Sequence, residues 1–324
     1  MADVIHAGDM HRFIEKLRPR LMESFSGCRR IALKIHFGEP GNKFAFRPDQ
    51  IKPVTDLLNE QGLKFFLYDS SVAYGGPRSD AASHRAAAVA KGWGELGDIK
   101  TNDDYLTRTG KYMAYQVCRE LADADGVLIV SHFKGHVCSG FGGAIKNIGM
   151  GALTKTSKSA IHDGAKPFLD GECSQCGTCR DSCPIGGIRL EDGPVFEVCF
   201  GCSECIKVCP EAALKVKLAF FDDLLADGAA AAAATFKQAY YINYLVNIAE
   251  SCDCDPGAKS IIAPNAGYLG STDPVKIDRA AYDIVTAKAG QDVFLTHNKK
   301  SGTEQIAAAQ EFGLGSAVYK LDSG

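Results

Sequence analysis

Long apolar runs are missing from this chain of 324 residues. No stretch approaches the ~20 apolar residues that a membrane-spanning helix needs. The opening residues, Met1–His6, lack a basic segment followed by an apolar one, so no secretory signal is expected and a cytoplasmic location is the working expectation. An excess of positive charge is missing too. The formal net charge is −3, which argues against a nucleic-acid-binding protein, since such a protein needs a strongly basic face. The dinucleotide fingerprint G-x-G-x-x-G is also absent. Gly140-Phe141-Gly142-Gly143 has the wrong spacing, so no nicotinamide cofactor is expected.

Cysteine, by contrast, is plentiful. There are 13, of which eight fall in one short stretch and two more form Cys252-Asp253-Cys254. An unexported chain of this size does not ordinarily spend its cysteines on disulfides. The eight form two runs, Cys173-x2-Cys176-x2-Cys179-x3-Cys183-Pro184 and Cys199-x2-Cys202-x2-Cys205-x3-Cys209-Pro210. Each reproduces the bacterial ferredoxin pattern, in which the fourth cysteine ligates the other cluster. The expected ligand sets for two [4Fe–4S] clusters are therefore Cys173, Cys176, Cys179 and Cys209, and Cys199, Cys202, Cys205 and Cys183. Three thiolates on one tight loop can face three irons of one cube. The proline after each fourth cysteine ends the loop. Gly177 and Gly201 relieve crowding near the sulfurs. Zinc is the plainer alternative, but a structural zinc site takes four ligands and not two interlocked quartets.

Around this stretch the pattern is one of alternating strands and helices. Helices are expected at 11–24, from Pro48 to Gly62, at 80–91, 113–122, 274–289 and 303–312, through an alanine-rich stretch at 218–249, and after a glycine-rich turn within 140–150. Strands are expected at 30–37, 64–68, 126–131, 259–263, 292–296 and 316–320. This is an α/β fold with an open, mostly parallel sheet and helices on both faces, interrupted by a ferredoxin-like insert. The expected division is 1–168 for the first part of the α/β domain, 169–217 for the insert and 218–324 for the second part.

Four constellations lie outside the insert. His132-Phe133-Lys134-Gly135-His136-Val137-Cys138, followed by Gly140–Gly143 and Lys146-Asn147, leaves a buried strand and enters a helix, where ligands of open α/β sheets bind. Lys34 and His36 share one face of a strand by its period of two. Asp69, Tyr74, Arg78 and His84 follow the next strand, and Arg78 could clamp a carboxylate or phosphate. Cys252 and Cys254 could be soft metal ligands or a redox thiol pair. They precede a segment, Ala263–Asp278, in which Ser271 or Asp273 caps a helix entered through Pro274. The plain alternatives are solvated basic turns, a salt-bridged loop and buried reduced cysteines.

Together, Lys34–Asn42, Asp69…Tyr74…Arg78, His132–Gly151 and Cys252…Asp273-Pro274…Asp278 resemble the domain-of-unknown-function family 362, over nearly the whole chain. That family often carries a ferredoxin insert and has no single agreed reaction. Asn265 stands where the family pattern favours Asp. His136-x3-Gly140-Phe141-x-Gly143-x2-Lys146 is more distantly similar to the nickel-pincer lactate racemases. That resemblance implies a histidine near the metal at His136 and a lysine holding the cofactor covalently at Lys146. Those racemases lack a ferredoxin insert, whose clusters would be idle in a redox-neutral racemisation, so the pocket's location carries over and the activity does not.

The expected function is an iron–sulfur oxidoreductase passing electrons to a small anionic substrate. Lys34, Arg78, Asp69 and Tyr74 would bind it, and His132, His136, His36, Lys146 and Cys138 would act on it. The alternatives are a non-enzymatic carrier that docks a redox partner protein, and a racemase-like enzyme with a pincer or metal cofactor.

Overall fold

The computed structural model describes residues 3–323. Eight strands form one sheet: β1 (Val4–Ala7), β2 (Ile31–Lys34), β3 (Phe65–Tyr68), β4 (Ile99–Lys100), β5 (Gly126–His132), β6 (Ala239–Leu245), β7 (Gly267–Ser271) and β8 (Leu321–Asp322). Their spatial order is β8-β1-β7-β6-β5-β2-β3-β4. β7 runs antiparallel to both of its neighbours, and the other pairings are parallel. The central strands are apolar on both faces, as a sheet covered on both sides requires. In β5, Leu128 and Val130 pack against helices α1 (Met10–Ser24) and α2 (Pro48–Glu60). Val127 and Ile129 face the opposite layer. That layer holds α3 (Ala144–Gly149), α4 (Phe221–Ala233), α5 (Pro274–Ala289) and α6 (Thr303–Glu311). The chain is an α/β protein with a mostly parallel sheet and helices on both faces.

Local chemistry sets the helix ends. Asp9 accepts from the Arg12 N–H and starts α1. Pro48 opens α2, where its missing N–H has no cost. Asp273, and not Ser271, caps α5 by accepting from the N–H groups of Val275 and Lys276. α4 lies close to α3 at Gly149, where a Cβ would come 2.5 Å from the Leu225 carbonyl oxygen and 3.3 Å from the Ala229 Cβ.

Several local expectations are corrected. Residues 114–118 form a strand, paired with Tyr105–Thr109, before a short helix at Arg119–Asp123. Tyr115 and Val117 alternate into the core, a period of two inside a stretch of helix-forming residues. The helix expected at 218–249 ends at Ala233, and Ala239–Leu245 is a central strand pairing with β5. At 259–263 there is one isolated bridge, Ala249 with Ile261, and the strand lies at Gly267–Ser271. Residues 293–298 are helical because Asp292 accepts from the Phe294 and Leu295 N–H groups. The last strand falls at Leu321–Asp322 and not at 316–320.

The cysteine-rich stretch stands apart from the sheet. Pro167–Leu169 pairs antiparallel with Leu214–Val216, so the chain leaves and returns at one place. Between them lie a hairpin, Ile188–Leu190 with Pro194–Phe196, and two short helices, Thr178–Ser182 and Glu204–Lys207. The buried apolar centre here is small: Cys179, Ile188, Cys205 and Leu214. So small a core rarely holds a fold without cross-links or metal.

Candidate functional site

The sequence constellations meet at the carboxyl ends of β2, β3, β5 and β6. β2 continues through α2 to β3 on one side, and β5 leads to β6 on the other. The crevice between β2 and β5 is thus where the strand order reverses, the general location of ligand sites in open α/β sheets.

On the β2–β3 side the centre is Asp69. Its carboxylate accepts from Lys34 Nζ at 3.0 Å, Arg78 at 3.1 Å and the Phe37 N–H at 3.1 Å, and lies 3.3 Å from His84 Nε2. Burial alone would raise this carboxyl, but Lys34 and His84 hold it well below its ordinary range. Arg78 also donates to Glu39, which accepts from the Tyr74 hydroxyl at 3.0 Å. His36 Nε2 lies 3.1 Å from Arg78 and Nδ1 accepts the Gly38 N–H. Burial, then Arg78, pushes His36 well below its ordinary value, so the ring is neutral. Lys34 donates further to Asn147, which ties this network to α3. The set expected to bind substrate is therefore brought together and bonded to itself.

On the β5–β6 side the centre is Asp253. His132 Nδ1 lies 2.9 Å from its carboxylate and Lys134 Nζ 3.0 Å. The other His132 nitrogen faces the Val246 carbonyl oxygen at 2.8 Å, and Phe46 stacks on the ring. Burial would raise Asp253; His132 and Lys134 hold it far below the usual range. Cys252 and Cys254 flank Asp253. Lys146 Nζ is 3.6 Å from Cys252 Sγ. A hydrogen bond from Cys254, together with Lys146 and Lys134, holds Cys252 well below an ordinary thiol, while Cys254 is pushed well above one. The pair thus shares one proton. Among the described residues no three His, Cys, Asp or Glu side chains converge as they would on a single metal ion, so these two have no third ligand of those types.

His136 lies near Lys146 but is held separately. Its Nδ1 lies 3.2 Å from the Cys138 N–H and 3.0 Å from the Ser139 hydroxyl. Burial, then Lys146, pushes it well below its ordinary value. Asp278 accepts the Ala144 and Ile145 N–H groups and the Asn243 amide, fixing the start of α3. A Cβ at Gly143 would collide with that carboxylate, which explains the glycine. Asn265 accepts the Asn247 N–H, a structural role for the amide.

Sequence reasoning passed over Lys91. Its amino group is buried, has no hydrogen-bond partner among the described residues, and is pushed down by burial. It lies against Gly38, near Asp253, Arg78 and Glu39. A lone lysine at a helix end gives no sequence signal. Asp253 and Lys134 were visible only as neighbours of more conspicuous residues.

Two cavities lie in the cysteine-rich stretch. One is bordered by Cys173, Cys176, Cys179 and Cys209. The other is bordered by Cys183, Cys199, Cys202 and Cys205. The fourth cysteine of each run thus lines the other run's cavity. The two loops repeat each other in backbone. Left-handed φ values occur at Gln175, Gly177 and Gly186, and at the matching offsets Gly201, Ser203 and Ala212. Three of these are not glycine, and non-glycine residues hold such conformations at a cost that tends to mark functional loops.

Val137 also borders the second cavity. The Phe200 carbonyl oxygen, between Cys199 and Cys202, lies 2.7 Å from His162 Nδ1 and 3.6 Å from Cys138 Sγ. Lys300 donates to the Cys202 carbonyl and pairs with Asp222 at 2.6 Å and Glu204 at 3.1 Å. The segment from His132 to Cys138 therefore runs from the strand-end site to the second cavity.

Residues 31–283 match the family described as Domain of unknown function (DUF362). The chain belongs to that family. A 65-residue stretch is 35% identical to the pyruvate synthase subunit PorD of Methanothermobacter marburgensis, covering 20% of this chain and 80% of that subunit. Two solved structures are similar at lower resemblance. A Thermotoga maritima protein superposes with a TM-score of 0.48 at 11% identity, over 87% of this chain and 59% of its own. The lactate racemase apoprotein of Thermoanaerobacterium thermosaccharolyticum gives 0.40 at 11% identity, over 75% of this chain and 50% of its own. This DUF362 chain thus spans about three fifths of the first solved protein and half of the second. Among the described residues no helix is long and apolar enough to cross a membrane.

Proposed function

We propose that this DUF362 protein is an iron–sulfur oxidoreductase that holds two [4Fe–4S] clusters in residues 169–217 and delivers electrons to a small anionic substrate at the strand-end site. The observation that carries the reading is the division of the eight cysteines between two cavities, each quartet completed by the other run's fourth cysteine. The donor set fits the group. A cubane gives each iron one thiolate, so its ligands stand further apart than those of a single ion. The surrounding Leu169, Leu190, Leu214, Ile185, Ile188 and Val198 are apolar, and apolar surroundings are one of the levers that set a cluster's potential. Bound clusters would supply one-electron transfer.

The rest is done by this chain's own side chains. Val137 at the rim of the second cavity and His136 near Lys146 support electron delivery from that cavity to the site. Lys34, Arg78, Lys91, Lys134 and Lys146 outnumber Asp69, Glu39, Asp253 and the Cys252 thiolate there, which supports an anion as ligand. Lys91 is the cation with no protein partner to give up. Neutral His136 is suited to pass a proton at Nε2, since Nδ1 is occupied. The matching PorD is by name a subunit of a larger enzyme, which supports a protein partner as the electron source.

The test is anaerobic purification with iron, sulfide, zinc and nickel analysis, and EPR spectra before and after dithionite. About eight irons and eight sulfides per chain with a reducible signal are expected. Zinc without sulfide would overturn the reading.

A further inference from the structure

Of the features outside the cysteine-rich stretch, the most heavily built is the loop Cys252-Asp253-Cys254. Its backbone is held residue by residue. Asn42 donates to the carbonyls of Cys252 at 3.2 Å and Asp255 at 2.7 Å. The Glu39 N–H donates to the Asp253 carbonyl at 2.8 Å, and the Tyr74 hydroxyl reaches the Cys254 carbonyl at 3.4 Å. The Asp253 side chain is clamped by His132 and Lys134. Three loops, after β2, β3 and β5, thus fix the position of two thiols. A structural thiol pair in a packed interior needs no such support.

The turn itself sets the spacing. The Asp255 N–H bonds back to the Cys252 carbonyl at 2.8 Å. Two Cα steps of about 3.8 Å, bent by that turn, bring the two residues within the roughly 4.4–6.8 Å that a disulfide spans. Cys252 is buried on the side of Lys146, which faces its sulfur, whereas Cys254 is partly exposed.

We propose that Cys252 and Cys254 form a dithiol–disulfide couple that reduces a small anionic disulfide at this site. Exchange with a substrate R–S–S–R begins at partly exposed Cys254, which hands its proton to the Cys252 thiolate as its sulfur attacks and one substrate sulfur leaves as a thiolate; it ends when Cys252 closes the Cys252–Cys254 bond and its proton leaves on the second substrate sulfur. The dithiol, present as one thiolate and one thiol, is oxidised, and the substrate leaves as one thiolate and one thiol. Two electrons and one proton restore the couple. They come from a one-electron donor acting twice, the class to which the clusters proposed above belong, and the inference rests on that reading for its electron supply alone. Lys146 steadies the thiolate, as a nearby cation does for reactive cysteines, and Lys91 with Lys134 would meet the carboxylates of the substrate.

The experiment uses the full chain purified without oxygen, with glutathione disulfide as probe. After exposure, acid quench and alkylation, the peptide carrying Cys252 and Cys254 is weighed. The expected result is a peptide lighter by two hydrogens and closed to alkylation, reopened by dithiothreitol. Cys252→Ser, unable to close the ring, is expected to retain glutathione on Cys254. Equal alkylation of both cysteines with and without the probe overturns the proposal, as does a metal ion lost specifically from Cys252→Ser. Iron and sulfide measured on the same sample report separately on the clusters. Iron without the disulfide sinks the couple alone, and a reversible disulfide in iron-free protein supports the couple while sinking its electron supply.

Discussion

The thiol of Cys138 and the carbonyl oxygen of Phe200 lie 3.6 Å apart, joining the strand-end site to the loop between Cys199 and Cys202. The stronger hold on that carbonyl is His162, whose Nδ1 is 2.7 Å away and whose ring packs on Phe221. His162→Phe keeps the ring contact and removes the donor. A lost hydrogen bond of this kind costs about 1 kcal/mol, equivalent to about fivefold in an equilibrium. If the proposed clusters are present, iron release to a chelator is expected to quicken by about that factor for half of the iron, the half that Cys183, Cys199, Cys202 and Cys205 would hold. Uniform acceleration of all the iron would mean that the loop is not held locally.

The crossed assignment of the fourth cysteines has its own signature. Cys209→Ala and Cys173→Ala should each remove about four of about eight irons, and the double variant should lose no more, because both serve one cavity. Cys209→Ala with Cys199→Ala should lose nearly all. If each run instead bound its own cluster, the two double variants would exchange outcomes. Iron analysis of the two double variants decides between them.

The cysteine pattern could be read in advance because ligand spacing is a property of the chain itself. So could helices with strong caps, such as Pro274–Ala289 with Asp273 before it. What misled were elements whose identity depends on neighbours. Ala239–Leu245 follows an alanine-rich helix and becomes a strand because β5 and β7 offer pairing on both sides. Val293–Asn298 has a strand-like composition, but the Asp292 cap makes it a helix. The gathering of Lys34, Arg78 and Asp69 was legible only as three separate loops. That they would neutralise one another required the tertiary structure, and Lys91 acquired its interest only from having no partner there.

Asp69 holds two buried cations, Lys34 and Arg78, with side chains about 1% exposed. Removing one partner of a buried ion pair strands the other charge, which costs about 3–5 kcal/mol. Asp69→Asn is expected to lower stability by about that amount in urea unfolding. Asp56→Asn, whose pair with Lys52 is about half exposed on α2, is the control and should change little. Equal effects at the two positions would remove the case for Asp69 as the centre of the network.

Lys158 is buried behind the same network, donating to the Ser70 hydroxyl at 2.8 Å and the Ser71 carbonyl at 2.6 Å. Burial pushes its ammonium down to about 8, against about 10.4 in an unfolded chain. Below pH 8 both states carry the proton and the cost of burying the charge is present in full. Between the two values the folded chain has released a proton that the unfolded chain still binds, so stability rises with pH across that window. Lys158→Met has no such titration. The stability of the wild type minus that of Lys158→Met should therefore increase by about 3 kcal/mol between pH 7.5 and 10.5. Urea unfolding of both proteins across that range measures it. A difference that stays flat would mean that Lys158 keeps an ordinary affinity for its proton and that the region behind Asp69 is open to water.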